Sequence, residues 1–312
     1  APIAIAIPKG PMPVGGYPLM VYFHGSGGLS TQFIDRGKIY TPDGSPEKGM
    51  GPAHVLAAFG IASAGSALPL NPERLPGAAE TEYLNINNLA AMRDTFRQGV
   101  IEQRLYIETL RNLEIDPALI AACNGPSLPA GETKYHFSDK DLLAQGQSMG
   151  GMYTNMIGSV EPRIRAVVPT GAGGFWTYFI LKTSLIPGLD KKVQVILLQT
   201  TAALTFMHPA IHLAETALEP ADPMIYMPRL ARRPLEGHPV RPIYEPVGKG
   251  DSYFPTVLYD AIVLAYGHNE AGDIIWPEMQ ESLKLDGLDG ILPYPISNNR
   301  TAEGDKTPYT GV

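Results

Sequence analysis

The sequence contains one cysteine, Cys123, in 312 residues. A single cysteine can form neither an internal disulfide nor a cysteine-rich zinc site. Charged residues are scarce at 18%, and 24 Lys and Arg against 31 Asp and Glu give a formal net charge of −7. Because binding to nucleic acid requires an excess of positive charge, the composition argues against a nucleic-acid-binding protein.

Long hydrophobic runs are also missing. Charge, glycine or proline interrupts each apolar run well before the ~20 residues that cross a bilayer, so no transmembrane segment is expected. Hydrophobic residues nevertheless make up 44% of the chain, which is too many for a disordered protein. The chain opens at Ala1 without the basic region of a signal peptide, which is typical of a processed start. Low charge with many Gly and Pro favours a secreted or periplasmic protein.

Buried strands and amphipathic helices alternate along the first half of the chain. Apolar or alternating runs predict strands, and helical spacing of apolar residues predicts the helices between them. The predicted strands are 3–7, 19–23, 61–64, 139–144, 164–168 and 239–247, and the predicted helices are 51–59, 88–113, 149–159, 255–266 and 274–285. This order is typical of an α/β fold with a mostly parallel central sheet flanked by helices. Residues 309–312 resemble the start of another strand.

The segment 175–235 departs from this alternation. It is rich in aromatic and aliphatic residues at helical spacing, and it is too long for a simple connection between strands. We therefore predict a helical cap inserted at 175–235 into an α/β core formed by 1–174 and 236–312.

Gly146-Gln147-Ser148-Met149-Gly150 matches the pattern G-x-S-x-G between a predicted strand and a predicted helix. A serine on this sharp turn is exposed as a nucleophile, and glycines on both sides leave room for the strained backbone. The same triplet occurs by chance in ordinary loops. Its position between strand and helix favours Ser148 as the catalytic nucleophile.

His24-Gly25-Ser26-Gly27-Gly28 follows an earlier buried strand. Small residues there allow backbone N–H groups to approach a developing negative charge, so Ser26 or Gly27, together with Met149, is expected to form an oxyanion hole. The alternative is a plain glycine-rich turn, and the known phosphate-loop patterns are not satisfied. We expect His24 itself to brace the loop.

With these two motifs and with Gly248-Lys249-Gly250-Asp251, the chain resembles the esterases and lipases of the α/β-hydrolase fold, especially the larger exported bacterial esterases. The resemblance spans residues 18 to 266. It implies an ester hydrolase that acts on a small-molecule substrate without a cofactor or a metal. A peptidase or acyltransferase on the same scaffold, or a binding module that has lost catalysis, remains an alternative.

The resemblance also implies a triad in the chain order serine, acid, histidine. Asp251 occupies the place of the acid, although an aspartate after glycine is also a common turn residue. His268 is the one histidine that follows Asp251. The family keeps its base after the last strand of the sheet, so the true base is alternatively expected beyond Val312.

The aromatic residues that follow the strand at 164–168 have two interpretations. Phe175, Trp176 and Phe179 pack in the cap, line a pocket above Ser148, or do both, and the apolar cap favours esters with an apolar acyl or alcohol group. His208 and His212 are spaced as metal ligands on one helix face, but H-E-x-x-H is not present, so packing is the better interpretation.

Overall fold

The protein is described by a computed structural model that covers residues 1–267, 269–271, 276–292, 299–300 and 306–307. Its centre is a five-stranded sheet in the order β1-β3-β2-β4-β5. Strands β2 to β5 pair in parallel, and β1 is antiparallel to β3 at one edge. The strands are β1 (Ile3–Ala6), β2 (Tyr17–Phe23), β3 (Ala62–Ser66), β4 (Phe137–Gln147) and β5 (Ile164–Thr170).

Burial on both faces explains the composition of the central strands. Six of the seven residues of β2 are buried, as its continuous apolar run predicts. Strand β3 consists of Ala, Ser and Gly, and all five residues are buried. Its small side chains allow close packing, because a Cβ at Gly65 would lie 2.9 Å from the ring of Phe33 and 2.7 Å from the carbonyl of Ser30.

Two long helices cover the sheet beside the serine motif. Helix α3 (Leu89–Arg111) begins at Asn88, whose side chain accepts the N–H of Ala91, and it buries an apolar face that includes Phe96 and Ile107. Helix α4 (Met149–Val160) is buried at eleven of its twelve positions. The shorter helices α1 (Gln32–Asp35) and α2 (Pro52–Ala58) precede α3, and a 3-10 helix at Pro117–Cys123 follows it.

The segment predicted as a strand at 239–247 is not a regular strand. It runs beside β5 through one parallel bridge, between Val167 and Ile243. Its backbone bonds are Val167 N to Pro242 O at 3.1 Å, Tyr244 N to Val167 O at 3.1 Å and Gly171 N to Pro246 O at 2.8 Å. Prolines at 239, 242 and 246 have no N–H to donate, so a regular hydrogen-bonded ladder cannot form.

The segment 175–235 is largely helical in its secondary structure. Its first helices contact one another, and later ones pack on α3 and α4. That the segment acts as a cap over the site stays a prediction. Its α-helices are α5 (Trp176–Lys182), α6 (Leu189–Lys192), α7 (Pro209–Leu218) and α8 (Pro223–Tyr226), with a π-helix at Val193–Leu197 and 3-10 helices at Glu219–Ala221 and Met227–Arg229.

Two further helices follow the segment beside β5, namely α9 (Thr256–Tyr266) and α10 (Pro277–Leu283). Short strand pairs join 270–271 to 291–292 and 299–300 to 306–307. The strand predicted to start at 309–312 lies outside the described residues. Within the described part of the chain, no helix has both the length and the apolar character needed to cross a membrane.

Candidate active site

Ser148 sits on a sharp turn between β4 and α4. Its backbone has φ 56° and ψ −120°, a conformation that a residue with a side chain rarely adopts. The Ser148 N–H donates to the Thr170 carbonyl at 2.9 Å, and the Ser148 carbonyl accepts the N–H of Met152 at 3.1 Å. These bonds hold the strained residue in place, and strain of this kind concentrates at functional sites.

The glycines around Ser148 are required by close backbone approach. A Cβ at Gly146 would overlap the Gly150 carbonyl, and a Cβ at Gly150 would overlap the Phe23 carbonyl at the end of β2. Gly146 and Gly150 therefore allow the turn to fold back on itself and α4 to press against the sheet. This is the arrangement that the G-x-S-x-G pattern predicts.

His24 braces the glycine-rich loop that follows β2. Its Nε2 accepts the N–H of Leu68 at 3.0 Å, so the ring proton lies on Nδ1, which donates to the Gly25 carbonyl at 2.8 Å. Burial lowers the pKa of His24, which favours this neutral form. The ring is fully engaged in holding the loop, as the sequence predicts.

Ser26 is fixed by a tyrosine from a distant part of the chain. Its hydroxyl lies 2.7 Å from the hydroxyl of Tyr83, which is buried. Burial raises the pKa of Tyr83 to about 12, so this hydroxyl stays protonated and able to donate. If the Tyr83 hydroxyl donates to the Ser26 hydroxyl oxygen, the hydroxyl proton of Ser26 can be donated to another acceptor.

A cavity of about 400 Å³ brings most of these groups together. It contains three of the predicted site residues, Ser148, Asp251 and Ser26, while Gly27 and Met149 are chain neighbours of Ser26 and Ser148. The lining consists of Ser26, Arg36, Glu80, Gln147, Ser148, Thr170, Gly171, Pro246, Val247, Gly248, Asp251 and Tyr253. Among the described residues that line it, Pro246 and Val247 are the only purely apolar side chains, so this lining does not favour the apolar substrate group that the sequence predicts.

Asp251 holds its carboxylate in a tight turn. Its Oδ1 accepts the N–H groups of Tyr253 at 2.7 Å and Phe254 at 3.1 Å, and the Tyr259 hydroxyl lies 3.4 Å from Oδ2. The bonds to Oδ1 fix the orientation of the carboxylate within the cavity that also holds Ser148. An acid of this kind can orient a histidine and stabilise its protonated form.

The predicted base, His268, lies outside the described residues. The sequence has seven histidines, and none of the six that the structure describes lines the cavity. His24 is committed to the loop after β2. His208 accepts the N–H of Ala210 at the start of α7.

The aromatic residues predicted to line a substrate pocket lie elsewhere. Trp176 and Phe179 are 1% and 2% exposed and belong to the hydrophobic core. Phe175 packs on Tyr178 and Phe206, and its N–H and that of Trp176 each donate to Asp222 at 2.8 Å. Because Asp222 holds the N-terminus of α5 against the core, these three side chains do not line the cavity that holds Ser148.

Three polar residues in the loops that line the cavity were not anticipated. Arg36 follows α1, Glu80 belongs to the loop after β3, and Tyr253 follows Asp251. All three lie in loops that reach the carboxyl edge of the sheet, where open α/β sheets form their sites. Because sites of open α/β sheets form at this edge, the loops could have been predicted to contribute to the site. No local sequence pattern, however, identifies the individual residues.

Comparison with known proteins gives distant structural likenesses. No family model and no curated protein matches the chain. Similar solved structures include 2,6-dihydroxy-pseudo-oxynicotine hydrolase (TM-score 0.47, 16% identity, 92% of this chain and 64% of that chain). Another is acylaminoacyl peptidase from Pyrococcus horikoshii (TM-score 0.46, 13% identity, 95% of this chain and 34% of that chain). A third is acetyl xylan esterase from Paenibacillus sp. R4 (TM-score 0.44, 13% identity, 94% of this chain and 72% of that chain). The chain spans less than two thirds of the length of the first two.

The class of fold follows from the geometry of this chain. Four parallel strands in the order β3-β2-β4-β5, an antiparallel β1 at the edge, and a serine at positive φ between β4 and α4 define the α/β-hydrolase fold. This confirms the fold that the sequence predicts. At this similarity, reaction and substrate remain to be proposed from the site itself.

Proposed function

We propose that this chain is a serine hydrolase that cleaves carboxylic esters through an acyl-enzyme on Ser148. The observation that carries the proposal is the strained Ser148 turn, which opens into the same cavity as Asp251 and Ser26. A strained backbone of this kind costs about 1–3 kcal/mol, and such residues cluster at active sites. A cavity with a nucleophile, an acid and a glycine-rich loop fits acyl transfer.

In the proposed reaction, the Ser148 Oγ attacks the ester carbonyl while a histidine takes its proton. The N–H of Met149, and that of Ser26 or Gly27, hold the negative charge on the carbonyl oxygen. When the C–O bond breaks, the alcohol leaves with the proton from the histidine. Water then repeats the sequence on the acyl-enzyme, releases the carboxylic acid and restores Ser148.

Asp251 is proposed to orient the histidine and to stabilise its imidazolium form. Its carboxylate is already fixed by two backbone N–H groups, so the histidine would meet a preorganised partner. His268 is the proposed base within this sequence, and a histidine beyond Val312 is the alternative.

The proposal is tested with two probes of Ser148. A fluorophosphonate should form a bond from its phosphorus to the Ser148 Oγ and release fluoride, and para-nitrophenyl butyrate should be hydrolysed. Ser148→Ala should abolish labelling and lower turnover by at least about 10³-fold. The matched control is Ser45→Ala, because Ser45 is exposed and outside the cavity. Turnover that survives in Ser148→Ala would overturn the proposal.

Two further measurements refine the result. His268→Ala should lower turnover as strongly as Ser148→Ala if His268 is the base, and retained turnover would assign the base elsewhere. Comparing para-nitrophenyl butyrate with para-nitrobutyranilide distinguishes an esterase from a peptidase. Faster cleavage of the amide would contradict the ester assignment.

A further inference from the structure

The cavity that holds Ser148 also holds an arginine beside the nucleophile. Arg36 follows helix α1 and is exposed at this cavity. Its Nη1 donates to Oε1 of Gln147 at 2.8 Å. Gln147 immediately precedes Ser148 at the end of β4, so the guanidinium is anchored one residue from the proposed nucleophile.

Arg36 has no charged partner among the described residues. No carboxylate of the described part of the chain lies within 4.0 Å of its guanidinium, whereas seven other arginines form such pairs. A guanidinium carries five N–H donors in a rigid planar fork. The bond to Gln147 occupies one of them, which leaves donors for a group that enters the cavity.

Glu80 provides the opposite charge on another part of the wall. Its side chain approaches Gly27 of the glycine-rich loop, where a Cβ added to Gly27 would lie 3.1 Å from Cγ of Glu80. Glu80 and Arg36 line one cavity without forming an ion pair. The cavity therefore has a positive group anchored at Gln147 and carboxylates at Glu80, beside the loop after β2, and at Asp251.

We propose that Arg36 binds a carboxylate of the substrate, so that the preferred substrates are esters that carry a negative charge. This inference rests on the function proposed above and names its substrate class. The planar fork of an arginine matches the two oxygens of a carboxylate, and such bonds are stronger than those between neutral groups. Glu80 repels the same charge, so it limits binding on the other side.

The experiment compares anionic and neutral esters of matched shape on the full chain. For a charge on the acyl side, the pair is para-nitrophenyl hydrogen adipate and para-nitrophenyl hexanoate. For a charge on the alcohol side, the pair is para-acetoxybenzoate and methyl para-acetoxybenzoate. The readout is the ratio of kcat/KM for the anionic ester to kcat/KM for the neutral one.

Arg36→Gln should lower this ratio by roughly tenfold to hundredfold in at least one pair, the range expected for a hydrogen bond to a charged group. The ratio for Arg36→Lys should lie between those of the wild type and Arg36→Gln, because lysine keeps the positive charge and loses the planar fork of donors. Glu80→Gln should raise the ratio, since it removes a repulsive charge. Arg233→Gln, an exposed arginine outside the cavity, is the matched control and should leave the ratio unchanged.

Fluorophosphonate labelling of Ser148 separates the two proposals. If Ser148 is labelled and esters are hydrolysed, but Arg36→Gln shifts neither ratio by more than about twofold, the role of Arg36 is overturned and the serine hydrolase stands. If Ser148 is not labelled and no ester is cleaved, both proposals fall together. A rise of the ratio in Arg36→Gln would likewise overturn the role of Arg36.

Discussion

Glu245 should make the stability of the protein fall as the pH rises. It lies on the segment beside β5, next to Pro246 of the cavity wall, and both oxygens of its carboxyl group are buried. Burial raises the pKa of Glu245 from 4.5 to about 8, while the Tyr266 hydroxyl and the Ala172 N–H lower it by less. The folded protein therefore keeps this carboxyl protonated at neutral pH.

The magnitude follows from linkage between protonation and folding. In the unfolded chain the carboxyl ionises above pH 4.5, whereas in the fold it ionises only near pH 8. The folded state thus binds the proton more tightly, so the stabilising effect is complete below pH 4.5 and is lost between pH 4.5 and 8. At about 1.36 kcal/mol per pKa unit, the loss reaches about 5 kcal/mol.

Glu245→Gln removes the ionisation and preserves the shape of the protonated side chain. We expect the free energy of unfolding of the variant to match that of the wild type within about 1 kcal/mol at pH 5, since one neutral side chain replaces another. At pH 9 the variant should be more stable by up to about 5 kcal/mol. Urea denaturation at pH 5, 7 and 9 measures this difference.

The matched control is Glu236→Gln, because Glu236 is an exposed glutamate on a nearby loop. Its stability should follow that of the wild type at each pH. A difference between Glu245→Gln and the wild type that stays constant from pH 5 to 9 would refute the reasoning. It would mean that Glu245 ionises in the fold as it does in water.

Two further substitutions test the loop after β2 and the end of α4. Tyr83→Phe removes the hydroxyl that lies 2.7 Å from the Ser26 hydroxyl. The kcat of the proposed ester hydrolysis should fall about fivefold, which is equivalent to ~1 kcal/mol for one hydrogen bond. An unchanged kcat in steady-state assays would contradict a role of Tyr83 in positioning Ser26. Glu161→Gln disrupts a fully buried carboxylate that pairs with Arg163 at 2.6 Å and Arg104 at 3.2 Å, and it should lower the free energy of unfolding at pH 7 by about 3 kcal/mol in urea denaturation. These arginines hold the pKa of Glu161 below its usual value despite burial. The stabilising effect of Glu161 is therefore present above pH 4.5 and fades as the pH falls through the lowered pKa. If Glu161→Gln lowered the free energy of unfolding equally at pH 3 and pH 7, this reasoning would be contradicted.

The parts of the fold that could be predicted are those encoded by neighbouring residues. The apolar run of β2 and the spacing of apolar residues in α3 give each element from its own composition. The turn at Ser148 was predictable because its glycines are needed within a few residues of the serine, although one clash involves the Phe23 carbonyl of another strand. Local sequence and tertiary packing agree at these positions.

Other features depend on which distant segments meet. The segment 239–247 was predicted to be a strand of the sheet. The missing N–H groups of Pro242 and Pro246 reduce its pairing with β5 to a single bridge. The aromatic residues after β5 were predicted to line a pocket, yet the buried carboxylate of Asp222 holds the start of α5 against the core. Neither outcome is visible in the spacing of residues along the chain.

The polarity of the cavity changes which substrates the proposed ester hydrolase should recognise. Aromatic residues at 175–179 suggest an apolar substrate when they are placed at the site, but Trp176 and Phe179 are committed to the core. The walls around Ser148 instead come from the segments after β2 and β3 and from the end of β5, which carry Arg36, Glu80 and Thr170. An apolar acyl chain would have to remove water from Arg36 and Glu80 without replacing their hydrogen bonds, which is costly. Under the proposal above, a substrate with a carboxylate of its own replaces those bonds at Arg36, so the arginine that disfavours a fatty ester favours an anionic one, whereas Glu80 disfavours both on its side of the cavity.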